Sequence, residues 1–224
     1  MIKISKRLEA ISSLVPINSK VIDIGCDHAL LDIYMYQKKI ANKIIATDIN
    51  KNALTNAKEN IKNAKLDKFI ETRLGNGLEP LNNKDDINTI IISGVGAHTV
   101  NGILKNNQSK LKNITTIIIQ SNTKLNFLRK EITKLNYKIA DELMIEDNKK
   151  IYVIIKFIKG KEHYSKKKLY FGPILLMKHD EVFKKYYGEE LKKLNIYLEL
   201  LPKNKLIDRY KIKKEIRLYR NIIE

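Results

Sequence analysis

The stretch Val21-Ile22-Asp23-Ile24-Gly25-Cys26-Asp27-His28-Ala29 reads as an apolar strand that runs into a glycine turn bearing two carboxylates and then opens a helical segment. At such a junction backbone N–H groups face a ligand, and a glycine at the position of Gly25 lets the ligand approach where a side chain would block it. A pyrophosphate cradle requires Gly-x-Gly-x-x-Gly, whereas Gly25 is followed here by Cys26, Asp27, His28 and Ala29. An NAD-type ligand is therefore not expected at this turn. Asp23 and Asp27 repel phosphates and attract an ammonium group, which suits the amino-acid end of S-adenosylmethionine.

Working outward, Ile- and Val-rich runs at 20–24, 43–49, 69–74, 88–93, 114–120, 137–145 and 151–158 are expected to be strands. Segments near 29–39, 51–64, 97–105 and 124–135 have helical spacing. This alternation predicts an α/β fold, a mostly parallel sheet with helices on both faces. The last two runs are joined only by Glu146-Asp147-Asn148-Lys149-Lys150, too short for a parallel crossover, so they should form an antiparallel strand hairpin at one edge. A seven-stranded, Rossmann-like sheet ending this way is the architecture of the class I methyltransferases.

In an open α/β sheet, ligands bind beyond the carboxyl ends of the strands near the topological switch point. After the first strand come Asp23, Gly25, Asp27 and His28. After the second come Asp48, whose carboxylate can accept from both hydroxyls of a ribose, and Ile49. After the third comes Gly75-Asn76-Gly77-Leu78, in which the Asn76 amide can read an adenine edge. Asp23, Gly25, Asp48, Ile49, Asn76, Gly77, Ser93 and Gly94 are thus the expected cofactor contacts. Two simpler roles stay open at this point: Asp48 as the cap of a helix starting near Asn50, and Asp27 as the cap of one beginning at His28.

The fourth strand ends in Ser93-Gly94-Val95-Gly96-Ala97-His98 and the fifth in Gln120-Ser121-Asn122. The Asp or Asn, Pro, Pro, aromatic run of exocyclic-amine methyltransferases is missing after the fourth strand. A small glycine loop leaves room for a flat base, and a ring nitrogen with its own lone pair needs no strong base. Alkylating adenine N1 gives a cationic product, so the useful group is a carboxylate that accepts from the exocyclic amine and offsets developing charge. Asp27 is the candidate, with His28 beside it and Gly96, Gln120 and Asn122 as further substrate contacts. Cys26 is read as a packing residue rather than a nucleophile.

With 43 Lys and Arg against 25 Asp and Glu, the net charge of +18 points to an anionic partner, above all nucleic acid. Residues 161–224 carry 17 basic and 9 acidic side chains, about twice the net charge density of residues 1–160. The domain expectation follows: 1–160 for the cofactor, and 161–224 as a basic helical hairpin for a polyanion. Phe183, Tyr187, Leu191, Leu194, Leu198 and Leu201, then Ile212, Ile216, Tyr219 and Ile223, form its two apolar stripes. Lys184, Lys185, Lys192, Lys193, Lys213, Lys214 and Arg217 occupy its polar faces. No run of about 20 apolar residues spans a bilayer, and the start of the chain lacks a signal-peptide core. One cysteine and four scattered histidines offer no zinc set and no disulfide. A cytosolic protein without metal is expected.

Ile4-Ser5-Lys6-Arg7-Leu8, Asp23 to Ala29, Gly75 to Leu78, Gly94-Val95-Gly96, Gln120-Ser121-Asn122 and Phe171-Gly172-Pro173 occur in the order seen in bacterial tRNA (adenine-22-N1)-methyltransferases. The chain resembles that family over nearly its whole length, and Asp-Ile-Gly-Cys-Asp-His-Ala is the specific part. The resemblance implies S-adenosylmethionine as cofactor, tRNA as partner and a C-terminal helical hairpin that grips it. The family pattern has Asp where Asn76 stands, Met and Gly in place of Val95 and Ala97, and Pro in place of Ser121. Two alternatives accompany this reading: a methyltransferase for another RNA base or a small molecule, and an RNA-binding protein that retains only the pocket.

Overall fold

The computed structural model describes residues 2–223, which form two compact units, the first ending at Ile174 and the second starting at Leu175. In the first unit, β1 (Ser19–Ile24), β2 (Ala41–Asp48), β3 (Ile70–Leu74), β4 (Thr89–Ser93), β5 (Thr116–Gln120), β6 (Tyr137–Asp147) and β7 (Lys150–Lys159) form one sheet. Its order is β3-β2-β1-β4-β5-β7-β6. Pairing is parallel from β3 through β5 and antiparallel for β5 with β7 and for β7 with β6.

The central strands explain the layering. Ile22 in β1, Ile45 in β2, Ile90, Ile91 and Ile92 in β4, and Ile117, Ile118 and Ile119 in β5 are all fully buried. Consecutive buried residues point to opposite faces of a strand, so both faces must be covered. The covering helices are α1 (Lys6–Ser13), α2 (Leu30–Gln37), α3 (Lys51–Asn63), α4 (Ala97–Lys105), α5 (Leu125–Lys134) and α6 (Lys166–Phe171). The chain leaves β3 at one edge and returns beside β1 as β4, so strand order reverses between β1 and β4. That seam is where such sheets bind ligands.

Some expectations need correction. Helix α1 was not foreseen; Ser5 caps it by accepting from the Leu8 N–H. The link between β6 and β7 is only Asn148-Lys149, because both strands run on through the residues assigned to a loop. Both turn residues take positive φ, 50° and 62°, as a two-residue hairpin with the twist of its strands requires.

The second unit contains α8 (Glu181–Leu200) and α9 (Leu206–Ile223), which follow α7 (Pro173–Lys178). Asp180 caps α8 by accepting from the Phe183 N–H, and Pro202 lies in the connection to α9. Phe183, Tyr187, Ile212, Ile216 and Tyr219 are buried as the stripes predicted, and the Tyr187 and Tyr219 rings meet edge-on at 5.6 Å. The last buried position of α9 is Ile222 rather than Ile223. His179 Nε2 reaches the Ile222 carbonyl oxygen at 2.7 Å.

Candidate active site

Thr47 at the end of β2 holds the turn after β1. Its carbonyl accepts from both the Gly25 N–H (2.8 Å) and the Cys26 N–H (2.9 Å), and its hydroxyl donates to the Asp23 carbonyl at 3.0 Å. Gly25 has φ +80°, a conformation that side chains rarely adopt, and a Cβ placed on it would meet nothing within 4 Å. The turn therefore presents bare backbone to open space.

The carboxylate of Asp48 secures the next residues. Its Oδ2 accepts from the Asp27 N–H at 3.2 Å and its Oδ1 from the Asn50 N–H at 2.8 Å. Neither capping alternative holds. Asn50 caps α3 by accepting from the Asn52 and Ala53 N–H groups, and α2 starts at Leu30 after Ala29, with no side-chain cap. Asp27 itself has φ +50° and a side chain 72% exposed. Its Oδ1 lies 3.6 Å from His28 Nε2, so the two side chains form a pair.

A cavity of about 360 Å³ opens at the seam between β1 and β4, lined by Arg7, Asp23, Gly25, Cys26, Asp27, His28, Ser93 and Gly94 with three leucines. Six of the expected site residues thus meet: Asp23, Gly25, Asp27, His28, Ser93 and Gly94. Asp48 and Ile49 do not line this cavity, and Ile49 is exposed. Asn76 is exposed and Gly77 buried in the loop after β3. That loop is tied to the second strand by the Gly75 N–H, which donates to the Asp48 carbonyl at 3.0 Å.

On the other side of the seam, Gly96 precedes α4, and the Ala97 N–H donates to Thr123 Oγ1 at 3.4 Å. Gln120 is buried and its amide is committed. Its Oε1 accepts from Arg7 Nη1 (3.0 Å), Ser93 Oγ (3.2 Å) and the Gly94 N–H (3.0 Å), and its Nε2 donates to Asn122 Oδ1 (2.9 Å). Gln120 therefore braces the loops after β4 and β5, and exposed Asn122 is the one of the two that faces solvent. The basic candidates Lys184, Lys185, Lys192, Lys193, Lys213, Lys214 and Arg217 all lie in the second unit.

Two residues of the site escaped the sequence reading. Arg7 is carried in by α1, where its backbone N–H donates to Asp147 Oδ2 at 3.1 Å and its guanidinium sits 5.5 Å over the Tyr152 ring. Asp32 in α2 is fully buried near Asp23, which is only 4% exposed. A carboxylate amid Leu31, Ile33 and Met35 was the visible signal for it. Burial pushes the Asp23 carboxyl up to about 7, helped by the negative charge of Asp48 and opposed by Asp32, which can donate a hydrogen bond, and by Arg7. Asp32 is pushed well above the usual carboxylate range by burial and by Asp23. The Cys26 thiol is pushed far up by burial and by the carboxylates of Asp32, Asp23 and Asp48. A neutral buried thiol is no nucleophile, in agreement with the packing role read for it.

A family model described as tRNA (adenine(22)-N(1))-methyltransferase (TrmK) matches residues 21–221. The chain belongs to this family. It is an S-adenosylmethionine-dependent tRNA (adenine-N1)-methyltransferase. The curated tRNA (adenine(22)-N(1))-methyltransferase of Bacillus subtilis is 29% identical over 196 residues, 85% of this chain and 82% of that protein. A Streptococcus pneumoniae protein solved with S-adenosyl-L-methionine superposes with a TM-score of 0.92 at 28% identity, covering 99% of this chain and 100% of that one. TrmK of M. capricolum, solved with the cofactor product S-adenosyl-homocysteine, gives a TM-score of 0.87 at 30% identity with 99% of each chain covered. The family, the seven-stranded Rossmann-like sheet and the cofactor expected from the turn thus agree.

Proposed function

We propose that the cavity between the ends of β1 and β4 receives the amino-acid end of S-adenosylmethionine, and that the target adenine enters beside Asp27 and His28. The observation that carries this reading is the meeting at one seam of the cavity, the uncrowded Gly25 and the carboxyl of Asp23, which is only 4% exposed and lines it. A carboxylate there fits a cationic ammonium. Asp48, with Ile49 beside it, accepts from the ribose hydroxyls, Asn76 and Gly77 border the adenine, and Ser93 and Gly94 close the far wall. When bound, the cofactor supplies an electrophilic methyl group on a sulfonium centre.

The residues of the chain then act on the base. Target N1 attacks with its own lone pair, so positioning does most of the work. Asp27 accepts from the exocyclic amine and offsets the positive charge that develops on the ring as the new bond forms. His28 contacts the base, and Gly96 and Asn122 border it while Gln120 braces the loops. Removing the base from the tRNA structure exposes its ring edge. The product is tRNA methylated at N1 of adenine 22, made in the cytoplasm without a metal ion.

Incubating the protein with labelled S-adenosylmethionine and unmodified tRNA, then mapping methylated bases by mass spectrometry, is expected to give one methyl group at N1 of adenine 22. Methylation of a different base would transfer the proposal to the other RNA substrate, and no incorporation would leave only an RNA-binding role.

The basic segment 161–224 is proposed to anchor the tRNA. In the second unit, Lys184 pairs with Glu181 at 3.2 Å and Lys193 with Glu190 at 2.7 Å. Such surface pairs are weak and yield readily to phosphates. Lys192, Lys213, Lys214 and Arg217 are exposed. Each side chain that meets a phosphate adds roughly 0.7–0.9 to the slope of log affinity against log salt. Changing these four together to Gln is expected to flatten the slope for tRNA by up to about 3; filter binding across a salt series that gives the parental slope would remove the hairpin from the interface.

A further inference from the structure

Three carboxyl oxygens inside the first unit lack a hydrogen-bond partner: Asp23 Oδ1 and both oxygens of Asp32. Asp32 is 0% exposed and does not line the cavity, whereas Asp23 does. The two carboxyls lie within hydrogen-bonding reach of each other. Two carboxylates in contact away from water cannot both ionise without strong repulsion, and one shared proton satisfies an oxygen on each side.

We infer that Asp32 is a positioning residue for the cofactor site: its carboxyl holds the proton shared with Asp23, leaving Asp23 with one negative oxygen for the ammonium of the cofactor. This rests on the reading of Asp23 as the ammonium contact.

The surroundings decide where the proton resides. Arg7 from α1 favours ionisation of Asp23, and Asp48 from the end of β2 opposes it. Cys26 in the turn is a neutral thiol, β4 brings the uncharged Ile91 and Ser93 beside this strand end, and Leu31 and Met35 of α2 are apolar. Arg7 is not among the groups that act on Asp32, whose carboxyl is raised well above the usual range by burial and by Asp23. Asp32 is thus the acid, and Asp23 is the group that ionises near neutrality. Because the Asp23 carboxyl is raised to about 7, the pair is neutral below that pH and carries one negative charge above it. Binding of an ammonium ligand must therefore strengthen as pH rises through that value.

S-adenosylhomocysteine is the probe, because the carboxylate beside its amine raises the ammonium above the range of about 7.7–8.0 of a peptide α-amino group and keeps it charged through about pH 8. Calorimetry with the unaltered protein is expected to show affinity rising with a midpoint near 7. In Asp32→Asn the amide still donates to Asp23, so the midpoint should stay within about half a pH unit of the parent's and affinity at pH 8 within about threefold. In Asp32→Leu the donor is lost, so the midpoint should rise by about one pH unit or more and affinity at pH 7 should drop at least about tenfold. A parental protein with no pH dependence, an Asp32→Asn variant that binds as weakly as Asp32→Leu, or an unmoved midpoint in Asp32→Leu would each overturn the inference. Asp23→Asn separates the two layers: if it binds the probe as tightly as the parent, the ammonium contact itself is misassigned, whereas loss of binding there with unchanged Asp32 variants sinks only the shared proton.

Discussion

Asp27→Ala is expected to bind S-adenosylmethionine almost as tightly as the parent protein while turnover on tRNA falls by at least about a hundredfold. The separation of the two effects follows from how this residue is held. Its backbone N–H, which any residue supplies, is what Asp48 grips, and its side chain is largely exposed at the cavity. Truncation therefore leaves the turn pinned at Thr47 and Asp48 and removes only the carboxylate. What is lost is charge that matters as the ring becomes cationic, so the effect belongs in kcat rather than in cofactor affinity. Calorimetry with the cofactor and single-turnover rates with tRNA measure the two quantities. Loss of cofactor binding would reassign Asp27 to the cofactor, and normal rates would remove it from the chemistry.

Arg129→Ala should destabilise the first unit by about 3–5 kcal/mol, the cost of leaving one half of a buried ion pair behind. Arg129 and Glu142 are both fully buried and joined at 2.7 Å between Nε and Oε1. Further groups of the pair bond the chain near Phe171-Gly172-Pro173, while Arg129 Nη2 has no hydrogen-bond partner among the described residues. Arg129 Nη1 donates to the Leu169 and Tyr170 carbonyls at 3.1 Å each, and Glu142 Oε2 accepts from the Ile174 N–H at 3.0 Å. Gly172, with φ +95°, lies so close that a Cβ there would sit 2.6 Å from Glu142 Oε2 and 2.8 Å from Arg129 Nη2. This accounts for the glycine in that run. Denaturant unfolding measures the loss. Pairing Arg129→Met with Glu142→Leu should recover part of it, because no charge then remains buried; a double variant no more stable than Arg129→Ala would show that the carbonyls of Leu169 and Tyr170, not the charges, dominate.

The sheet was legible because its central strands are uninterrupted runs such as Thr116 to Gln120, whose burial on both faces leaves little alternative. The cofactor side of the site was legible for a related reason, since Gly25, Asp48 and the Gly75 to Leu78 loop follow directly on strands, and strand ends converge in this topology. Arg7 was not legible, and Asp32 only as a carboxylate set among Leu31, Ile33 and Met35. Helix α1, Lys-Arg-Leu-Glu-Ala-Ile-Ser-Ser, has little apolar content, and nothing near Arg7 announces that partners at 93 and 120 will surround it. Asp32 looks like an ordinary acidic residue in the first turn of a helix until burial removes its water. Gln120 stood out in the sequence, but only the fold shows three donors converging on its amide oxygen.

Arg7 also sets the moment at which this site can come into being. It is made well before its partners, since Gln120 follows it by 113 positions and Asp147 by 140. A growing chain already holds β1 and its glycine turn while the wall opposite that turn waits for β5 and the end of β6. Closure of such distant contacts comes late and costs most in chain entropy. The reactive cavity is accordingly a product of finished synthesis of the first unit, and a partly emerged chain carries the turn without the pocket.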